Sequence, residues 1–216
     1  MIIAKFVAVV LVGYFLGSIP FGLIIGKIKS GIDIRQQGSG KTGGTNVMRA
    51  FGTKLGVVTI LLDVFKAVGA VLLAKVIIGS SVLYLGSIVL NWQAAQVMAG
   101  LAVLVGHNWP IFAKFKGGRG TTDYFGTLFA IFPPAGILGL EVLTISALRS
   151  RYMSLASILG ASAACCLMIP LTIAYDFPLV YLAYGLAAIA LVVYQHRDNI
   201  SRLRQGTERR LGEENL

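Results

Sequence analysis

The sequence predicts an all-α, polytopic integral membrane protein with seven transmembrane helices. The 216 residues are 56% hydrophobic and only 13% charged, with a mean hydropathy of +0.79, whereas soluble domains carry about 25% charged residues. Apolar runs recur along the whole chain, and basic residues collect in alternate gaps between them. We therefore expect a single transmembrane domain over residues 1–216.

The apolar runs are the predicted spans, since a membrane-crossing helix needs about 20 mostly apolar residues. They cover residues 2–26, 55–79, 86–106, 121–134, 135–148, 155–175 and 178–195. The fourth and fifth runs are short and meet at Pro133 and Pro134. Because proline interrupts helical hydrogen bonding, these runs form either two short helices or one re-entrant excursion. We favour two helices, since the charge distribution then agrees with the number of crossings.

Small residues within the runs predict close helix packing. The first run has GxxxG spacings at residues 13–17 and 22–26, which let helices approach closely in lipid. The adjacent cysteines at 165–166 lie inside an apolar run without the spacing of a metal site, so we interpret them as packing residues. Neither feature indicates chemistry, and no metal or cofactor is expected.

The Lys and Arg residues orient the predicted helices. Of the 19, 16 lie at residues 27–54, 114–119, 149–151 and 197–210, and the other three are Lys5, Lys66 and Lys75. The gaps at 80–85, 133–136 and 175–178 contain none. Since such residues favour the cytoplasmic side, we expect the N-terminus outside and the C-terminus in the cytoplasm. The net charge of +10 is then explained by orientation and by attraction to anionic lipid and substrate. The lipid bilayer is the expected partner, and nucleic acid is not.

The stretch GSGKTGGTNVMR, residues 38–49, looks like the end of an ATP-binding P-loop but lacks its context. A P-loop requires a glycine five residues before Gly40, where this chain has Arg35. It also requires a preceding buried strand, whereas the preceding segment is an apolar helix. A nucleotide hydrolase is therefore not expected.

The same stretch still has the chemistry of a phosphate-binding loop. Glycines such as Gly38 and Gly40 let backbone N–H groups converge on an anion, and Arg49 offers a fork that matches phosphate. Further hydrogen-bond donors come from Ser39, Thr42, Thr45 and Asn46. The alternative is a flexible cytoplasmic loop whose charges only orient the chain.

A second glycine-rich, cationic loop follows the third run. In the stretch GHNWPIFAKFKGGRGTTD, residues 106–123, three glycines lie close to three cations: Gly117, Gly118 and Gly120, with Lys114, Lys116 and Arg119. Glycines and cations immediately before a helix favour anion binding. Because both loops are expected on one side of the membrane, we predict that they bind two phosphorylated substrates, or one donor and one acceptor.

Two further segments on that side carry polar candidates. Ser154 lies at the membrane surface, where it either contributes to the site or caps the sixth predicted helix. His196 and Asn199 are three residues apart, so they share one helical face, and Glu208 follows in the same segment. A histidine at a membrane boundary is also often merely interfacial, and that alternative stays open.

The whole chain resembles a known family, the acyl-phosphate:glycerol-3-phosphate acyltransferases of bacterial membranes. The matching stretches, in the family's order, are GSIPFG (17–22), GSGKTGGTNVMR (38–49), LLDVFK (61–66), GHNWPIFAKFKGGRG (106–120), RYMSLASI (151–158) and HRDNISRLRQGTE (196–208). The resemblance implies seven membrane helices and an active site on the cytoplasmic face of the bacterial inner membrane. It implies transfer of a fatty acyl group from acyl phosphate to the 1-hydroxyl of glycerol 3-phosphate, for phospholipid synthesis.

The resemblance also implies roles for particular residues. The candidate catalytic residues become Ser39, Arg49, His196 and Asn199. The glycine loop at 117–120 is implied to bind glycerol phosphate, and from their charge or position we add Lys116, Arg119 and Ser154 as substrate-binding candidates. No cofactor is implied, and a soluble acyl-phosphate-producing enzyme is a candidate partner.

The chain departs from the family pattern in both loops. Lys41 and Thr42 replace the usual pair in the first loop, and Gly44 replaces alanine. In the second loop, Arg119 replaces lysine, and Asp123 lies among residues that are usually small and apolar. We expect Asp123 to weaken anion binding unless it pairs with Arg119. A paralogue with another phosphorylated acceptor, or one without activity, is therefore an alternative.

The expected chemistry is positioning and charge stabilisation, because acyl phosphate is already activated. His196 is the candidate base, with Asn199 fixing its ring, unless a substrate phosphate oxygen takes the proton. A widespread acyltransferase signature has aspartate five residues after histidine, but His107 is followed there by Phe112 and His196 by Ser201. We therefore expect a mechanism without a His–Asp pair.

A membrane transporter of a phosphorylated small molecule is the alternative from another functional class. Charges inside membrane helices are typical of transporters, and the candidates are Asp63, Lys66, Lys75 and Glu141. Asp63 and Lys66 are three residues apart, so they can instead simply pair.

Overall fold

The computed structural model describes residues 1–212 and is predominantly helical; residues 213–216, the end of the predicted domain, lie outside the described part. The helices are α1 (Ile2–Gly17), α2 (Phe21–Ser30), α3 (Gly44–Phe51), α4 (Thr53–Ile78), α5 (Trp92–Asn108), α6 (Thr121–Ile131), α7 (Pro133–Ser150), α8 (Met153–Tyr175), α9 (Val180–Gln195) and α10 (Arg197–Arg204). The strands β1 (Leu83–Leu85) and β2 (Ile88–Leu90) form an antiparallel hairpin between α4 and α5. The predicted helical class is therefore confirmed apart from this hairpin.

Three stretches within residues 1–212 are long and apolar enough to cross a membrane, by length and composition. They are Ile2–Ser30, Thr53–Ile78 and Met153–Tyr175, and α9 is a shorter apolar helix. Others of the predicted spans are shorter than the usual 20 or so residues, since α5 has 17 residues and α6 has 11. The count of seven spans and the orientation of the termini therefore stay predictions.

Prolines explain two helix boundaries. The first apolar run divides into α1 and α2, because Pro20 has no N–H to donate to the carbonyl four residues earlier. Between α6 and α7 the chain turns at Phe132, and Pro133 occupies the first turn of α7, where proline is tolerated. The prediction of two helices at this point is confirmed.

The helix of the third apolar run begins later than predicted, at Trp92. Asn91 caps α5, because its Oδ1 accepts hydrogen bonds from the backbone N–H groups of Gln93 and Ala94 at 3.0 and 3.2 Å. The apolar residues before it belong to β2, which pairs with β1 across a turn containing Gly86 at a φ of 61°.

Close packing between α1 and α5 positions the end of α5. Gly17 lies against the backbone of Val103, and Gly106 lies against the backbone of Tyr14, so a methyl group at either glycine would overlap main-chain atoms. The prediction that small residues of the first helix support close packing is confirmed. This crossing places His107, the next residue of α5, beside the second glycine-rich loop.

The hydrophobic core fixes α6 against α8 and α9. Tyr124 and Tyr184 are fully buried, and their rings stack with centroids 5.9 Å apart. The hydroxyl of Tyr124 donates to the carbonyl of Ala161 at 3.0 Å, and that of Tyr184 donates to the carbonyl of Tyr124 at 3.2 Å. Because these buried hydroxyls are paired, the first turn of α6 and the loop before it are held in place.

Candidate active site

The structure brings the predicted segments together around a cavity of about 360 Å³. The loop before α3, the loop before α6, the start of α8 and the segment 196–208 all contribute to its wall. The predicted site residues that line it are Ser39, Thr45, Asn46, Arg49, Arg119, Gly120, Ser154, His196 and Asn199. Both glycine-rich loops therefore lie on the same side of the molecule.

Five other predicted residues do not line the cavity, namely Gly38 and Gly40 in the first loop and Lys116, Gly117 and Gly118 in the second. Lys116 is exposed to solvent. Gly117 and Gly118 are buried against His107: the backbone N–H of Gly118 donates to the His107 carbonyl at 3.1 Å, and a side chain at position 118 would overlap the imidazole ring. These two glycines therefore pack the second loop against α5.

The first loop is held in shape by Asn46. Its Oδ1 accepts a hydrogen bond from the backbone N–H of Ser39 at 2.8 Å. Its Nδ2 lies 2.9–3.0 Å from three backbone carbonyl oxygens, those of Ile34, Gln37 and Lys41, which share its two hydrogens. Gly38 and Gly40 have φ values of 53° and 69°, in the left-handed region that favours glycine. The amide of Asn46 therefore orders the loop that presents Ser39 to the cavity.

The polar end of the cavity is strongly cationic. Burial, together with the nearby guanidinium groups of Arg202 and Arg49, lowers the pKa of Arg119 to about 10, although neighbouring carboxylates oppose the shift. Burial also lowers the pKa of Lys41, which lines the same end. Arg119 still carries its charge at neutral pH, so a bound dianion would relieve the repulsion between these cations.

Glu208 joins the last segment to the start of α8. Its Oε1 accepts hydrogen bonds from Ser154 Oγ at 3.0 Å and from Asn199 Nδ2 at 2.7 Å, and its Oε2 accepts from Arg202 Nε at 2.8 Å. The alternative that Ser154 caps α8 is wrong, because the cap position is Tyr152 and the Ser154 hydroxyl donates to Glu208. Sequence reasoning named Glu208 but gave it no role.

His196 lies between α9 and α10 and lines the cavity. Its Nδ1 lies 2.8 Å from the carbonyl oxygen of Val192. Since a carbonyl only accepts, Nδ1 carries the proton and Nε2 has the lone pair. Burial lowers the pKa of His196 to about 4, so the ring is neutral and weakly basic at neutral pH. The prediction that Asn199 fixes this ring is wrong, because a backbone carbonyl holds it.

A buried charge cluster adjoins the cavity at His107. The ammonium of Lys66 lies 2.7 Å from Asp63 Oδ1, 3.0 Å from His107 Nδ1 and 3.4 Å from Asp123 Oδ1. His107 Nδ1 also lies 2.8 Å from Asp123 Oδ2. The predicted pairing of Asp63 with Lys66 is confirmed. Asp123 pairs with Lys66 and His107 and not with Arg119, the partner considered from the sequence.

The contact between His107 and Asp123 was missed by sequence reasoning. The two residues lie on successive helices, α5 and α6, so no local spacing reveals them. The ligand atoms of Asp63, His107 and Asp123 lie within 4.8 Å of one another, an arrangement that can hold a metal ion. The ammonium of Lys66 already lies among these atoms and supplies the cation.

The other end of the cavity is apolar. It is lined by three helices, with Phe125 and Phe129 from α6, Ile60, Leu61 and Val64 from α4, and Leu140 and Leu143 from α7. Leu61 and Leu140 are 48% and 40% exposed, so this end reaches the outer surface of the helix bundle. Sequence reasoning placed an acyl tail between helices or in lipid but did not identify these residues, because they look like any other lipid-facing positions.

Comparisons with known sequences agree over nearly the full length. A family model described as "Glycerol-3-phosphate acyltransferase" matches residues 7–206. The chain is 48% identical to "Glycerol-3-phosphate acyltransferase 3" of Dehalococcoides mccartyi over 213 residues, 99% of each chain. It is 36% identical to "Glycerol-3-phosphate acyltransferase" of Alkaliphilus metalliredigens over 204 residues, 94% of this chain and 95% of the relative.

Solved structures agree as well. PlsY, described as an integral membrane glycerol 3-phosphate acyltransferase, matches in its glycerol 3-phosphate form with a TM-score of 0.83 at 36% identity, over 96% of both chains. Its lysophosphatidic acid form matches with a TM-score of 0.81 at 36% identity, over 96% of this chain and 95% of that one. Together with the long apolar helices, this similarity shows that the protein resides in a membrane. The chain belongs to the glycerol-3-phosphate acyltransferase family.

Proposed function

We propose that the cavity transfers a fatty acyl group from an acyl phosphate to the 1-hydroxyl of glycerol 3-phosphate, giving 1-acylglycerol 3-phosphate for phospholipid synthesis. The names of the relatives and the two ligand forms of PlsY support the acceptor and the product. The observation that carries the proposal is a cationic polar end joined to an apolar end that opens sideways. Phosphorylated groups and an acyl chain fit these two ends.

The polar end is suited to two phosphates. Arg49 and Arg119 line it, and a guanidinium binds phosphate through two parallel hydrogen bonds. Helix α3 begins at Gly44 in the cavity wall, so the N–H groups of its first turn favour an anion there. Ser39 and Thr45 add hydroxyl donors. We assign the donor phosphate to this first loop and the acceptor phosphate to the loop of Arg119.

The proton of the attacking hydroxyl passes to a substrate phosphate in this proposal. The 1-hydroxyl oxygen attacks the acyl carbonyl carbon, the bond from that carbon to the phosphate oxygen breaks, and phosphate leaves. The second pKa of a phosphate ester is about 6, whereas the pKa of His196 is about 4, so the phosphate oxygen is the stronger base. His196 Nε2 then accepts a hydrogen bond that orients the hydroxyl.

We further propose seven spans, with α1 and α2 forming one and α4 to α9 forming the others. The distribution of Lys and Arg supports an N-terminus outside and a C-terminus in the cytoplasm of a bacterial inner membrane. The cationic loops around the cavity then face the cytoplasm, where a soluble acyl-phosphate-producing enzyme can dock. Residues 1–216 form one catalytic domain in this arrangement.

The function is tested with purified protein, acyl phosphate, glycerol 3-phosphate and mass detection of the product. We expect 1-acylglycerol 3-phosphate from the wild type and about 10²–10³-fold slower turnover from Arg49→Ala, because an anion-stabilising donor is lost. Arg204→Ala removes an exposed cation outside the cavity lining and is the matched control.

If the wild type shows no acyl transfer, a flux measurement distinguishes the two alternatives. Flux of glycerol phosphate across liposomes without acyl transfer would support a transporter. Neither flux nor transfer would support an inactive paralogue. Wild-type turnover by Arg49→Ala would remove the phosphate-binding role of that residue while leaving the reaction itself intact.

A further inference from the structure

We propose that Asp123 is a positioning residue: acting with Lys66 and His107, it fixes the glycine-rich loop 117–120, and with it Arg119, for binding the phosphate of the acceptor. This role rests on the proposed function and extends it to a buried carboxylate that does not line the cavity. It also explains why a residue that adds negative charge close to an anion site is compatible with that site.

Asp123 lies in the first turn of α6, three residues after Gly120. Its side chain is fully buried, 2.8 Å from His107 Nδ1 and 3.4 Å from Lys66 Nζ. A buried charge is costly unless it is paired, and removing one member leaves its partner uncompensated. The side chains therefore hold one another in place, and they join the start of α6 to α4 and α5.

The opposite edge of the His107 ring supports the loop. Gly118 lies directly against Nε2, where a Cβ atom would overlap the ring, and its backbone N–H donates to the His107 carbonyl. Gly117 lies against Pro110 and the same carbonyl. The imidazole is thus enclosed between the charge cluster on its Nδ1 side and the loop on its Nε2 side, so a change in ring orientation displaces the loop.

Arg119 lies between Gly118 and Gly120, and both of these glycines are held in place. On one side Gly118 contacts the ring of His107, and on the other Gly120, at a φ of 78°, leads into the turn that Asp123 anchors. The guanidinium lines the cavity, and its Nε is buried and makes no hydrogen bond within residues 1–212. The backbone of Arg119 is therefore positioned by the protein, while its head group has a donor available for phosphate.

The decisive variant is Asp123→Asn, which keeps the shape of the side chain and removes its charge. We expect the KM for glycerol 3-phosphate to rise about tenfold or more, while kcat and the KM for acyl phosphate change less than about twofold. The matched control is Asp176→Asn, the same change at an exposed carboxylate, which should alter neither constant. Unchanged KM for glycerol 3-phosphate, or a loss confined to kcat, overturns the proposal.

A double variant separates positioning from a general structural role. Because Asp123 acts through Arg119, Asp123→Asn combined with Arg119→Gln should have the same KM for glycerol 3-phosphate as Arg119→Gln alone. Additive increases in KM would show that Asp123 acts independently of Arg119 and would overturn the proposal.

Gly118→Ala tests the same contact from the side of the loop if Asp123→Asn does not fold. It should raise the KM for glycerol 3-phosphate selectively, and an unchanged KM contradicts the proposal. Wild-type protein is measured in the same assay. Absence of product from the wild type would contradict the proposed function, whereas an active wild type with unaffected variants would contradict only the role of Asp123.

Discussion

Burial decides the protonation state of His196. Its pKa of about 4 in the folded protein lies below the value of about 6.5 for histidine in an unfolded chain. Between these two values, the unfolded chain binds a proton that the folded protein does not bind. Lowering the pH through this range therefore favours the unfolded chain.

His196→Gln is expected to remove part of this acid sensitivity. Neutral His196 contributes fully to the free energy of unfolding above about pH 6.5. This contribution falls by about 3 kcal/mol as the pH is lowered towards 4, as expected from the difference between the two pKa values. The thermal midpoint in detergent should therefore fall further for the wild type than for the variant between about pH 7.5 and about pH 4.5. Parallel pH curves for the two proteins would contradict the buried, neutral state of the ring.

Residue types near the cavity could be predicted more completely than their contacts. Ser154 and Asn199 were identified from the sequence, but both donate to Glu208, and Ser154 is separated from it by 54 positions. Asn46 was expected to face substrate, yet its amide holds the backbone of its own loop. These partners depend on tertiary folding, which no local spacing reveals.

Among the elements, the crossing of α1 and α5 has the least space for change at Gly17. A Cβ there would lie 2.7 Å from the Cα of Val103 and closer still to its carbonyl oxygen. We expect Gly17→Ala to destabilise the protein by about 1–3 kcal/mol through overpacking. At about 2–4 °C per kcal/mol, the thermal midpoint in detergent should fall by several degrees.

Gly69→Ala is the control for that substitution. Gly69 also lies inside a long helix, α4, but beyond its own helical turn an added Cβ would meet no atom within 4 Å among residues 1–212. The thermal midpoint of this variant should stay at or slightly above that of the wild type, because alanine favours helix more than glycine. Equal losses in the two variants would show that the close helix crossing at Gly17 does not determine the effect.

The elements could be predicted where an apolar run was long and uninterrupted. The structured bounds of α4, α8 and α9 agree with their predicted runs to within a few residues. The hairpin Leu83–Leu90 was missed, because a short apolar run does not distinguish a strand from a helix. Gly86 and Ser87, flanked by aliphatic residues, were the turn signal available in the sequence.

For the whole molecule, the proposed orientation predicts opposite accessibility of two exposed sites. In a chain with Cys165 and Cys166 replaced by serine, Ser87→Cys places a thiol at the hairpin turn and Gln205→Cys places one after α10. We expect a membrane-impermeant maleimide to label the first in intact cells and the second only after permeabilisation, because positive loops stay in the cytoplasm. Labelling of both from the same side would overturn the seven-span arrangement.

The position of the site could be predicted at this scale, but its shape could not. Two glycine-rich loops on the cation-rich side predicted where phosphate groups meet, and the loops do line one cavity. The apolar end depends on which faces of α4, α6 and α7 meet, and uniformly apolar helices carry little periodic signal for that. The charge cluster around His107 likewise needed three helices to be placed before it could be recognised.

Glu208 has a consequence for biosynthesis. The earlier helices leave the ribosome and enter the bilayer first. The hydroxyl of Ser154 and the amide of Asn199, however, both donate to Glu208, which follows α10 in the sequence. A nascent chain consequently has no finished pocket until residue 208 has been translated and folded back. A copy that ends before residue 208 therefore lacks the carboxylate that joins Ser154 to Asn199.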